Sequence, residues 1–314
     1  MAANFVMNQC LRSEGSATLS MIGMGFGGIL NCVLDPIFIM PWGLNMGVAG
    51  ASLATAISKV VSFVILIFPY ITRKSLLHLS VKHIRFHKDI IGQIVSVGAS
   101  SMFRSGLAVV AGILLNDMAG NISDSVLAGI GVTTKVMMFP FSIILGFGTG
   151  FQPVAGFNWG AKRYDRVQGS FRFASLTAFL GGAAMAAFLI IFADPIIVAF
   201  AGDDPQMRAI GALAIRLQSL ALPIHGWVAV VNMFCAGLGN AWGAFLLATS
   251  RQGTCMLPVL FPLAAWFGEY GIASVQAIAD VASLVLAIPI ALYMTKKVRN
   301  AMQAVQLPAD SCEQ

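Results

Sequence analysis

Eight apolar stretches, each close to the ~20 residues that cross a bilayer as a helix, run the length of this 314-residue chain. They fall at roughly 18–40, 47–71, 90–115, 125–150, 168–192, 207–236, 242–265 and 270–294. Inside hydrocarbon only helices and closed barrels satisfy every backbone polar group. Barrel strands need only about 10 residues, so these lengths select helices. The expected fold is an all-α polytopic membrane protein with about eight full transmembrane helices plus a partial one. The partial one is the start, MAANFVMNQCLRSEGS. It has no basic segment ahead of an apolar core, as a signal peptide would, and reads as the last turns of a helix.

Charge confirms the class and orients it. Charged residues are 10% of the chain and hydrophobic residues 58%, whereas a soluble domain is about one quarter charged. The net charge of +6 invites a nucleic-acid reading, but the basic residues sit at membrane edges. Arg12 follows the first stub. Arg73, Lys74, Lys82, Arg85 and Lys88 fill the 72–89 connection, Lys162, Arg163 and Arg166 fill 158–167, and Lys296, Lys297 and Arg299 follow the last span. The intervening connections carry Asp117, Asp124, Asp194, Asp203, Asp204 and Glu269 and no Lys or Arg. By the positive-inside rule the basic connections and the C-terminus are cytoplasmic. The charge is therefore a topology signal, the expected surroundings are a lipid bilayer, and no nucleic-acid partner is expected. Five cysteines (Cys10, Cys32, Cys235, Cys255, Cys312) show no paired spacing and read as small hydrophobes.

The connection LLHLSVKHIRFHKD, 76–89, interleaves apolar and basic residues, as in a helix lying on the membrane surface. Its His78, His83 and His87 read as solvated interfacial side chains, with a metal site as the alternative. It also divides two related halves: GVAGASLATAISKVVSFVILI (47–67) resembles GIASVQAIADVASLVLAIPI (271–290). The expected organisation is a partial N-lobe at 1–72, a cytoplasmic amphipathic linker at 73–89, a C-lobe at 90–300 and a cytoplasmic tail at 301–314. A six-helix second half against a first half of two helices and a stub suggests that about three and a half helices are missing ahead of Met1.

An ionisable group inside an apolar span marks a functional site by default. The span Met21–Met40 carries Asn31 and Asp35 at i and i+4, on one helix face, followed by Pro36. Asp35 lies roughly 9 Å from the outer end of its span and Thr55 roughly 12 Å into the next, at the rise of about 1.5 Å per residue. Antiparallel neighbours would therefore bring Asn31, Asp35 and Thr55 to similar depth, a reasonable H+ or Na+ site. The alternative is that Asp35 satisfies backbone groups freed by Pro36. Glycine ridges at Gly23, Gly25, Gly27 and Gly28, and at Gly146, Gly148 and Gly150, read as close helix packing rather than hinges.

Further polar groups fall in other spans: Lys59, Arg104, Lys135, Arg216, Arg251 and Asp280. Lys135 would line a cavity, snorkel or pair with a carboxylate. Arg251 reads as an anchor at the cytoplasmic start of its span. Asp280 would pair with a basic side chain or with Gln276 at i−4. His225, beside Pro223, reads as a satisfied buried imidazole, with a cavity-lining role as the alternative. His225, Gln276, Asp280 and Lys135 thus form the possible cavity-lining set. Metalloprotease, nucleophile-elbow and phosphate-loop motifs are absent, so neither an enzyme nor an ATPase site is expected.

Several segments together resemble the multidrug and toxic compound extrusion (MATE) family. FQPVAGFNWGAKRYDRV (151–167) is similar to the family's loop after the eighth helix, and LRSEGSA (11–17) to its element after the fourth. NCVLDPIF with GVAGASLAT resembles helices five and six, and SRQG (250–253) with GIASVQAIAD (271–280) resembles helices eleven and twelve. The resemblance implies a two-lobe helix bundle of twelve helices, of which this chain holds the end of helix four through helix twelve. It implies a secondary exporter of small amphipathic or cationic drugs and toxins, working by alternating access against H+ or Na+ entry. No cofactor beyond that coupling ion is implied, and a monomer in the bacterial inner membrane is expected. Asn31, Asp35 and Thr55 match polar positions of the family's N-lobe cation site, whose other aspartate lies on helix one. Other members use a Glu on helix seven and an Asp on helix ten; spans 90–115 and 207–236 hold no acid, so that kind of site is not implied. Two rival readings stand beside the exporter: a flippase for a lipid-linked sugar or other lipid, kept open by Arg104, Lys135 and Arg216, and a non-transporting truncated fragment.

Overall fold

The computed structural model of the chain describes residues 2–40, 43–72, 88–201 and 204–306, and among these no residue is in a strand. The expected linker lies outside the described residues up to residue 87, with His78, His83 and His87, as does the tail beyond residue 306 with Cys312. The chain divides into two compact units, Met1–His87 and Lys88–Gln314. Among the described residues six helical stretches are long and apolar enough to cross a membrane.

In the first unit, α1 (Ala2–Ser13), α2 (Ala17–Ile39) and α3 (Gly47–Ile71) pack together. The helices α2 and α3 meet along the glycine ridge read from the sequence. A Cβ at Gly23 would press on Leu66, one at Gly27 on the Ser62 side chain, and one at Gly50 on Phe38. Gly25 and Gly28 have nothing within 4 Å of that position, so only half of the ridge is an interface. Removing Cβ lets the backbones approach, and van der Waals contact then holds apolar helices that gain nothing from leaving lipid. Leu11 of α1 is buried with Leu66 and Tyr70. Buried polar groups of α1 are also paired: Asn4 Nδ2 donates to the Lys59 carbonyl at 2.8 Å, and Asn8 accepts from the Ser20 hydroxyl.

The second unit is built around α8 (Pro205–Gly237), the most buried of its helices, which packs against α5 (Asp124–Gly160), α6 (Tyr164–Ile191) and α10 (Met256–Gln306). The crossings again use small residues. Gly182 of α6 abuts the Leu222 carbonyl, Gly226 of α8 abuts the Ala178 carbonyl, and Gly156 abuts the Gly237 carbonyl. Phe234 fills the core at the other end of α8, stacked on Phe171 at 4.3 Å. The remaining elements are α4 (Lys88–Gly120), the short α7 (Ala193–Ala201) and α9 (Ala241–Thr249).

Several boundaries differ from the sequence expectation. The helix α5 runs on to Gly160 and α6 begins at Tyr164, so the loop expected at 158–167 shrinks to a three-residue turn with Lys162 in the left-handed region (φ 57°). Helices outlast their apolar windows because backbone bonding continues after the side chains turn polar. The outer connection expected at 193–206 contains α7, whose IIVAF run buries Ile197. The span expected at 242–265 is interrupted: α9 passes into a π-helical turn, Ser250–Thr254, before α10 starts. The chain then reverses at Gly268 (φ 54°, ψ −127°), a backbone conformation open to glycine. Met256 and Leu260 before that point cluster with Val275 and Ala279 after it, so the two limbs of α10 lie side by side.

Charge is segregated along the second unit. One end carries the Asp204 cap of α8, whose carboxylate accepts from the Gln206 and Met207 amides at 3.0 and 3.1 Å. The Gln206 side chain there bridges Ser123 and Glu269, at 3.2 and 2.8 Å. At the other end Lys297 lies 5.8 Å from the Trp159 ring.

Candidate functional site

In the first unit the residues expected to bind a cation are only partly assembled. Asn31 Nδ2 donates to Asp35 Oδ1 at 3.2 Å, the i, i+4 pair the spacing suggested. Both side chains are half-buried. The glycine contacts give the α2–α3 register, with 23 opposite 66, 27 opposite 62 and 38 opposite 50. Asp35 is therefore level with Leu53 and Ala54, one residue from Thr55. The expected depth holds, but the facing does not. Ala54 is fully buried, whereas Thr55 is rotated about 100° away on an ideal helix and is exposed. Among the described residues Thr55 makes no hydrogen bond to Asp35 or Asn31. Lys59, one turn beyond Thr55, is level with Asn31 and half-buried.

In the second unit the structure gathers residues that the sequence left scattered. Asp280, on the second limb of α10, is about 18 Å from the Gly268 reversal along the helix. Its side chain is 2% exposed, and Arg251 Nε donates to its Oδ1 at 2.7 Å. Arg251 is not an anchor at a membrane edge. It lies about 15 Å past Ala241 along the helix path and is 15% exposed. It is set in the π-helical turn, whose extra residue per turn rotates it off the regular α-helical face. The guanidinium also sits 3.9 Å over the Phe141 ring, a cation–π contact. His225 Nδ1 is 3.9 Å from the same Asp280 oxygen, and its ring meets Phe141 edge-on at 5.0 Å.

Asp280 therefore pairs with a basic side chain rather than with Gln276. The imidazole is buried, as read, but not satisfied. His225 Nε2, Gln276 Nε2 and Asp280 Oδ2 are all buried without a hydrogen-bond partner among the described residues. A polar atom left so costs about 1–3 kcal/mol.

The other intramembrane charges are simpler. Arg216 Nη2 contacts Asp194 Oδ2 at 2.6 Å, at a cavity of about 380 Å³ lined also by Arg208 and Tyr270. Lys135 is exposed beside Met138 and Phe139, away from the core, and lines neither of the two cavities described. The side chain of Arg104 lies outside the described residues. No group of three or more metal-ligating side chains occurs among the described residues.

Long apolar helices with isolated, mutually paired polar groups inside them define the class: an all-helical, multi-pass membrane protein. The comparisons make this specific. The family model described as MatE matches residues 101–251. The chain is 26% identical to the multidrug export protein MepA of Staphylococcus haemolyticus, over 95% of this chain and 64% of that protein. It is 27% identical to the MepA of Staphylococcus saprophyticus, over 85% and 58%. Among solved structures, MATE in complex with MaL6 matches with a TM-score of 0.84 at 23% identity, covering 96% of this chain and 67% of the other. The outward-facing conformation of a multidrug resistance MATE family transporter of the MOP superfamily matches with a TM-score of 0.84 at 24% identity, covering 95% and 66%. The chain resembles MATE transporters in sequence over residues 101–251 and in fold over nearly its whole length, and members of that family are transporters, not enzymes. It spans about three fifths of the length of the curated relatives it matches.

Proposed function

We propose that the protein exports amphipathic, often cationic compounds by alternating access, driven by inward movement of H+ or Na+ at Asp35. The observation that carries this reading is the Asn31–Asp35 pair within the membrane-length α2. The amide holds one carboxylate oxygen, which orients the group and leaves the other oxygen for an ion. A carboxylate in an apolar span is costly, and ion loading and release is the use that justifies it. Thr55 lies at the same depth but faces away from the pair, so the reading rests on Asp35 and Asn31 alone. The relatives' name, multidrug export protein, supports the same substrate class. With basic connections facing the cytoplasm, the acidic end would receive the ion from outside. An ion drives export only through its different affinity for the two conformations.

Of the cations that kept lipid-linked sugar flipping open, Arg216 is paired with Asp194 and Lys135 is exposed away from the core, which supports export over flipping. A flippase cavity needs free cations facing its anionic lipid phosphate. The test is efflux of a fluorescent lipophilic cation, such as ethidium, from everted vesicles carrying the full-length protein. Export that follows an imposed H+ or Na+ gradient supports the reading. Export indifferent to both gradients overturns it.

A further inference from the structure

The buried cluster of the second unit has an imbalance that its ion pair leaves standing. Arg251 covers only one oxygen of Asp280; Oδ2 is buried and bare. Two neighbouring atoms, His225 Nε2 and Gln276 Nε2, are buried without a partner among the described residues as well. His225 approaches Asp280 through its other nitrogen, at 3.9 Å, too long for a hydrogen bond. Gln276 shares the Asp280 face of α10, one turn away. A fixed structural ion pair would have both carboxylate oxygens occupied, because each bare buried oxygen weakens it. An open valence on a buried carboxylate, with donors nearby, is the arrangement of a group that takes a small cation.

The cation that fits is the proton. Among the described residues the charged and titratable groups placed against Asp280 are Arg251 from the π-helical turn and His225 from α8; α5 presents the Phe141 ring, and α10 itself adds Gln276. A guanidinium 2.7 Å from Oδ1 repels a metal cation but leaves room for a proton on Oδ2. We propose that Asp280 Oδ2 is a proton-binding site of the second unit, whose loading releases Arg251. Hydronium supplies the proton: one of its O–H bonds breaks as one O–H bond forms at Oδ2, and a neutral water is left. Unloaded, Asp280 and Arg251 cancel and the cluster is neutral; loaded, it carries one positive charge on Arg251. That charge keeps a partner, because the Phe141 ring already lies 3.9 Å beneath the guanidinium. The π-helical turn that holds Arg251 is closed by the Cys255 amide on the Ser250 carbonyl at 2.8 Å. Such turns are rare inside α-helices and occur frequently at functional sites. The site goes beyond the ion site at Asp35 and does not depend on it.

The experiment is infrared difference spectroscopy of the purified full-length protein between about pH 8 and pH 5, with aspartate carboxyl carbons isotopically labelled. It reads the carbonyl band of a protonated aspartate and needs no transport, so failure of the Asp35 reading leaves it interpretable. The expected result is a labelled band that appears on acidification in Asp35→Asn, where Asp35 contributes no signal, and is lost when Asp280→Asn is added to that variant. In Arg251→Gln, which keeps the carboxyl, the band appears already at more alkaline pH because the competing cation is gone. Should Asp280→Asn fail to fold, Arg251→Gln decides alone. With Asp35→Asn as the background, a band that survives Asp280→Asn, a band whose pH dependence ignores Arg251→Gln, or no band at all overturns the proposal.

Discussion

Arg251 and Asp280 are 29 residues apart in sequence and 2.7 Å apart in space, joined across the reversal at Gly268. Their side chains are 15% and 2% exposed, so each is the other's main charge partner inside the apolar core. Removing one member of a buried pair leaves an uncompensated charge, which costs about 3–5 kcal/mol. Arg251→Leu is therefore expected to lower the Tm of the purified protein strongly. The double variant Arg251→Leu with Asp280→Leu is expected to recover much of that loss, since an apolar pair of similar volume leaves no charge unpaired. Thermal unfolding in detergent, followed by helix content, measures both.

The α2–α3 interface predicts a contrast between neighbouring glycines. A side chain at Gly27 would collide with Ser62 and come within 3.1 Å of the Ser58 carbonyl, while Gly28 has open space. Gly27→Val is expected to destabilise by about 1–3 kcal/mol, the usual cost of overpacking. Gly28→Ala is expected to leave Tm near the wild-type value. Equal effects at both positions would contradict the register from which Asp35 and Thr55 are placed level.

The cap of α8 carries a pH signature. The Ser125 hydroxyl, then the Met207 and Gln206 amides, hold the Asp204 carboxyl below its ordinary range. The folded value is thus lower than the unfolded one. The stability this adds is fully present above the unfolded value and disappears as pH falls through the folded one. Asp204→Ala is expected to lose stability at neutral pH and to show a shallower fall of Tm below about pH 4. Parallel Tm-against-pH curves for the two proteins would contradict this role.

How much of this could be read from the sequence depends on whether a feature is local. The apolar spans, the glycine contacts of α2 and the Asn31–Asp35 pair follow from spacing along one helix, and each was legible. Depth was legible too, because rise per residue is fixed. Azimuth was not: it depends on which face the partner helix takes, and that face is Ala54 rather than Thr55. The Arg251–Asp280 pair is only half legible: a basic partner is expected for Asp280, but Arg251 reads as an anchor although it lies nine residues into its apolar window. No propensity announces the π-helical turn that carries it inward. The signals available were the charges themselves, an arginine and an aspartate in adjoining apolar spans, each needing a partner.

Asp35 as the ion-coupling group is tested directly in proteoliposomes carrying the full-length protein. The measurement is lipophilic-cation export driven by an imposed H+ or Na+ gradient, for the wild type and Asp35→Asn at matched folded protein. Asn is isosteric and keeps the contact with Asn31 but cannot load an ion by changing charge. The account predicts that gradient-driven export in Asp35→Asn falls to the level of empty vesicles while the variant keeps the wild-type Tm within a few degrees. Export by Asp35→Asn at the wild-type rate under the same gradient would contradict it.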